Sequence, residues 1–138
     1  MGLAISVEFQ QNFYRLLEED RELKLLVGEV HQTVKQATKY PYILQRVTSA
    51  KLIQSNKPSL YEISGEINVY LRDKTFSHFR IIISRIEKIF YKHQEHLASY
   101  IFISGKINDA EFGYSQDMIT TKINLGYMAL IQDKMGEI

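Results

Sequence analysis

A chain of 138 residues and 16.1 kDa, with 45% apolar, 24% charged and 12% aromatic residues, has the make-up of one globular domain that buries about two thirds of its unfolded surface. It is too apolar to be disordered and too charged to be a membrane bundle, and seventeen basic against sixteen acidic side chains leave a net +1, so electrostatic work must come from local segregation. The absence of cysteine excludes thiol catalysis, cysteine-ligated zinc and a disulfide framework.

Residues 1–7 carry no cationic segment followed by an apolar run and a small-residue cleavage site, and no apolar run approaches the ~20 residues that a bilayer requires. The expectation is a protein made and kept in the cytoplasm.

In chain order, Ser6 is the expected N-cap of a first helix, with Glu8 in its first turn and Phe9, Phe13, Leu16 and Leu17 on one face. Asp20 reads as a second N-cap, followed by Leu23, Leu26 and Val27 at helical spacing and by Gly28 as the residue that ends the turn. Val30, Gln32 and Val34 alternate with His31 and Thr33, which predicts a short strand. A second strand starts near Tyr40, at a sheet edge or just outside it because Pro41 has no backbone donor, and runs through Tyr42, Ile43 and Leu44 toward Val47. Residues 48–59, rich in Ser, Asn and Lys, read as a loop or a long hairpin arm.

The clearest strand follows. Tyr61, Ile63, Gly65, Ile67, Val69 and Leu71 share one face, and Glu62, Ser64, Glu66, Asn68, Tyr70 and Arg72 the other. Asp73 or Thr75 then caps an amphipathic helix whose face is set by Phe76, Phe79, Ile83, Ile86 and Phe90, with Ile82 and Ile89 beside it, fraying over 95–98. Residues 100–107 read as a strand, 108–117 as a loop or irregular strand, and 118–131 as a last long strand presenting Ile119, Thr121, Ile123, Leu125, Tyr127, Ala129 and Ile131 on one face. Strands joined by hairpins with helices set apart predict an α+β fold: an antiparallel sheet of four to five strands with two main helices packed on one face, in one domain over 1–138. The regular β-α-β alternation of a doubly wound nucleotide-binding fold is missing.

No residue pattern points to catalysis. The glycines form neither GxxxxGK[ST] nor GxGxxG, there is no GxSxG, and no serine is singled out as a nucleophile. His93 and His96 are three apart around Glu95, but His31 and His78 are distant and there is no HExxH, so these read as solvated histidines rather than a metal site. Glu18, Glu19 and Asp20 stand among Arg15, Arg21 and Lys24, and Asp109 lies near Glu111; both groups read as surface carboxylates. The residues alone thus supply no chemistry, and no metal site is expected.

Charge segregation is the informative feature. From Glu8 to Glu29 six acids face three bases, a net −3, whereas between Glu29 and Glu62 there is no acid but Lys35, Lys39, Arg46, Lys51 and Lys57, a net +5. These five residues are the candidate interaction site, either a positive arm that meets a polyanion or an acidic neighbour, or a solvated hairpin whose lysines protect a strand edge. A small nucleic-acid-binding α+β module using the 35–57 stretch is the alternative functional reading, although no RNP-like aromatic pattern marks the central strands.

Five segments in order, EEDRELKLLVGEVH, YPYILQ, ISGEINVYLRD, RIIISRIEKIF and TTKINLGYMALI, make the chain similar to the tail-completion (tail-terminator, tail-to-head joining) proteins of long-tailed phages, prophages and gene transfer agents. It departs from that pattern in the polar, Lys-bearing loop or hairpin arm around 46–60 and in its Ile-rich helix. The resemblance implies a structural role with no active site and no cofactor, so the chain is expected to be no enzyme. Subunits would form a ring, a hexamer when assembled, on the end of the tail tube, stop tube growth and meet the head-side connector. DNA would pass through the lumen without sequence-specific binding, and no membrane would be involved. Such a protein would be cytoplasmic during assembly and part of the virion tail or neck afterwards.

Overall fold

A computed structural model describes residues 2–32, 40–72, 76–92, 99–114 and 119–134. A 3-10 turn at Gly2–Ala4 leads into α1 (Ile5–Glu19), then α2 (Arg21–Leu26), β1 (Glu29–His31), β2 (Tyr42–Gln54), β3 (Leu60–Arg72), α3 (Phe76–Lys92), β4 (Tyr100–Tyr114) and β5 (Thr120–Asp133). The strands form one sheet in the order β1-β2-β3-β5-β4. β1 runs parallel to β2, and every other neighbouring pair is antiparallel. The fold is therefore α+β as expected, but its sheet is mixed rather than antiparallel. A three-residue strand carries no sequence signal for its direction; the connection from β1 to β2 runs through residues 32–41, of which 33–39 lie outside the described residues.

Ser6 does not cap α1. The helix starts two residues earlier, after the 3-10 turn, Ala4 occupies the cap position, and the Ser6 hydroxyl donates back to the Leu3 carbonyl. Asp20 does cap α2: its carboxylate accepts the Leu23 N–H at 2.9 Å and is also clamped by the Arg85 guanidinium of α3. The expected caps Asp73 and Thr75, and the histidines His93 and His96, lie outside the described residues.

β3 and β5 pair without a register shift from Leu60↔Gln132 to Arg72↔Thr120. Tyr61, Ile63, Ile67, Val69 and Leu71 face inward beside Ile123, Leu125, Tyr127, Ala129 and Ile131, and all are buried. Helices α1 and α3 cover this face with Ile5, Phe9, Phe13 and Leu17 from one and Phe79, Ile82, Ile86, Ile89 and Phe90 from the other. The buried stripe of α3 is thus rotated from the expected one: Ile82 and Ile89 lie at its centre and Ile83 is half-buried. Phe9, Phe13, Phe90, Phe102 and Tyr127 meet at ring-centroid distances of 5.4–6.4 Å, so the middle of the core is aromatic.

Polar side chains fix α1 on the sheet. The buried Tyr127 hydroxyl donates to Gln45 Oε1 at 2.7 Å, the Gln45 amide donates to the Gln10 carbonyl, and the Gln10 side chain accepts the Val47 N–H at 2.8 Å. At the other side of the sheet Asn12 donates to the Tyr100 hydroxyl, and Glu8 accepts from the Ser99 N–H and hydroxyl. One helix therefore spans the sheet from β2 to β4, and burial pushes both phenols, Tyr127 and Tyr100, well above their ordinary value.

Candidate interaction surface

Of the five basic residues singled out in the sequence, Arg46, Lys51 and Lys57 lie within the described residues. Lys35 and Lys39 lie outside the described residues. Arg46 stands on the helix-free face of β2 and its Nε donates to Glu66 Oε1 at 2.8 Å. Lys51 is on the same face of β2, opposite Glu62 of β3. Lys57 is in the exposed turn between β2 and β3. The acid-free run of sequence is thus folded back against a strand that returns two carboxylates, and its net charge is divided.

Residues 48–54, which carry little alternation, are the distal half of strand β2. Both faces of 51–54 are exposed, so no buried side was available to impose the period. The register shifts between Val47 and Ser49 and between Leu52 and Gln54, as expected where an arm twists away from the layer that covers the sheet. Ser59 closes its base by exchanging hydrogen bonds with Asp133 of β5.

The helix-free face of the sheet is polar and of mixed charge. Glu66 accepts from Arg46, Asn68 and Asn124. Burial pushes its carboxyl upward, but these three donors together outweigh it and hold the group below its ordinary value. Toward the start of β2, Tyr42 and Tyr70 stack at 4.4 Å, Arg72 sits over the Tyr40 ring at 4.5 Å, and Lys122 approaches Tyr70 at 5.8 Å. These faces are spent on one another, so they form a packed cross-strand ladder, not an open stacking platform. A shallow concavity of about 420 Å³ lies beside them, lined by Glu66, Glu111, Phe112, Gly113, Lys122 and Asn124.

Sequence reasoning placed a sheet edge at the start of the second strand, which β1 covers at 42–44, and missed the edge along β4. β1 covers β2 only at 42–44, and Gln10 takes the Val47 N–H, so 48–54 is an uncovered edge among the described residues. At the other side β4 is the outermost strand along all its fifteen residues. The segment left open between a loop and an irregular strand is its distal half, paired to β5 as far as Tyr114↔Thr121. Residues 108–112 are all exposed, with Phe112 at 66% and Tyr114 at 64%. Leu52 and Ile53 on the other edge are about half exposed, at 47% and 50%. Long edges carrying exposed apolar side chains are the places where a folded chain takes up another strand. The available signal was the coincidence of aromatic residues with failing alternation in 108–114.

Among the described residues there is no group of His, Asp and Glu arranged to hold a metal ion, and no helix is long and apolar enough to cross a membrane.

An α+β layer with an open, two-edged sheet is the class that this geometry defines. The same fold occurs in a chain of the virion of a native gene transfer agent particle, with a TM-score of 0.74 at 15% identity over 95% of this chain and 98% of that one. It occurs also in the bacteriophage SPP1 gp17 protein, with a TM-score of 0.64 at 17% identity over 100% of this chain and 99% of that one. No protein-family model and no curated protein sequence matches the chain. The structural likeness agrees with the family resemblance read from the sequence.

Proposed function

We propose that this protein is a structural, non-enzymatic tail-completion protein of a phage, prophage or gene transfer agent. It assembles as a ring, a hexamer when complete, on the end of the tail tube, stops tube growth and joins the tail to the head-side connector. Its partners are copies of itself, the tail tube protein and the connector, with DNA passing through the lumen. It is cytoplasmic until assembly and then resides in the tail or neck.

The observation that carries this reading is likeness of fold over almost the whole of both chains, in a particle component and in a phage protein, with no large insertion that would house another activity. The open edges support it, because a small sheet with two uncovered sides suits a subunit that neighbours complete. The nucleic-acid alternative draws less support. Arg46 is engaged by Glu66, Lys51 faces Glu62, and the tyrosines of the outer face stack on each other.

The test is deletion of the gene in its own particle-producing background. We expect tails of irregular length and filled heads that remain unjoined, and complementation by the intact chain should restore joined particles. Normal tails and normal joining in the deletion strain would refute the reading.

A further inference from the structure

We infer that the ring closes by strand addition, the distal arm of β2 in one copy pairing antiparallel with the distal half of β4 in the next. The inference rests on the proposed ring for its closed, head-to-tail symmetry; the choice of surfaces comes from the sheet itself. Three successive antiparallel pairings separate β2 from β4, so the two strands point in opposite senses. A second copy set beside β4 by rotation about an axis along the strands therefore offers its β2 in the antiparallel sense. Such an interface uses two different surfaces, and repetition of it gives a ring when the rotation closes.

Chemistry selects the register. Without a stagger, the Glu111–Tyr114 end of β4 would meet the neighbour's β1, which already occupies the edge of β2 at 42–44. Sliding the neighbour by about six rungs, a stagger of the kind that closing a sheet requires, clears β1. It also sets Lys51 against Asp109 and Glu111, which share the helix-free face with it. The same slide lays Leu52 and Ala50 beside Ala110 and Phe112 on the helix side of the sheet. The β2 arm and its turn carry Arg46, Lys51 and Lys57 with no acid, whereas 108–114 carries Asp109 and Glu111 with no base. Opposite charge and exposed apolar groups thus coincide on two edges of the same molecule, and the partner they fit is a second copy of this chain.

Because the chain has no cysteine, introduced thiols report without background. The variant Leu52→Cys/Ala110→Cys, with Leu52→Cys/Asn108→Cys for the adjacent register, is purified, checked for native circular dichroism and oxidised at increasing protein concentration. Pairing yields a covalent ladder that ends at one closed size, while each single-cysteine variant stops at dimers. In parallel, Lys51→Glu shifts ring assembly to at least about tenfold higher protein concentration, the scale of losing one close charge pair, and Asp109→Lys/Glu111→Lys in a mixed partner restores it. Natively folded paired-cysteine variants that yield nothing beyond the dimers of the single variants would overturn the edge pairing. A chain that caps tail tubes without forming the ladder refutes this interface and leaves the tail reading in place; a ladder without capping does the reverse.

Discussion

Asp20 does two jobs with one carboxylate. It caps α2 through the Leu23 N–H and holds α3 through the Arg85 guanidinium, which also reaches Glu22 at 3.2 Å. The Arg85 hydrogen bonds are the main cause that keeps the Asp20 carboxyl below its ordinary value of 3.8, against the upward push of burial. A depressed folded value contributes stability that is fully present above the unfolded pKa and is lost as pH falls through the folded one. Asp20→Ala is therefore expected to lower unfolding stability by about 1–3 kcal/mol at neutral pH, with the deficit shrinking below about pH 4. Urea midpoints of both proteins at neutral and acid pH measure this; an equal deficit at both would contradict it. Gly65 and Tyr127 make a second residue-scale pair. A Cβ at Gly65 would overlap the Tyr127 hydroxyl and crowd the Arg46 carbonyl, so only glycine lets the phenol reach Gln45. Gly65→Ala should cost about 1–3 kcal/mol through overpacking, and Tyr127→Phe a similar amount by leaving the buried Gln45 oxygen without its donor. Denaturant titration of each variant checks both values.

At the scale of elements, burial decided what could be read. β3 and β5 lie in the middle of the sheet under two helices, and their period of two is legible residue by residue. The distal parts of β2 and β4 project past that cover, both faces meet solvent, and the alternation that marks a strand disappears with its cause. The relay Gln10–Gln45–Tyr127 was illegible for a different reason, since a buried glutamine looks like a surface residue until its partners arrive from elements 35 and 82 positions away. In α3 the run Ile81, Ile82, Ile83 offers no polar residue to fix the helix's rotation, and only packing does so, burying Ile82 to 1% while Ile81 stays 51% exposed. Ile82→Lys should accordingly cost more than about 3 kcal/mol, because it buries an unpaired charge. Ile81→Lys should stay within about 0.5 kcal/mol of the parent. Thermal melts of the two variants decide it, and equal effects would mean that the helix presents another face.

At the scale of the whole molecule, the sheet has one covered face, one polar face and two uncovered edges among the described residues. Three of the five candidate cations, Arg46, Lys51 and Lys57, lie within the described residues. Arg46 and Lys51 lie opposite Glu66 and Glu62, so the stretch that is acid-free in sequence faces acids in space. On the proposed reading, a subunit of this shape is completed by its neighbours, and the work it does is geometric. The most direct test is to polymerise the tail tube protein of the same particle with and without the purified chain and to measure tube lengths and ends in negative stain. We expect the chain to shorten and narrow the length distribution, with a ring of added density at one end of each tube. Tubes that elongate to the same lengths with bare ends at every concentration of the chain would contradict it.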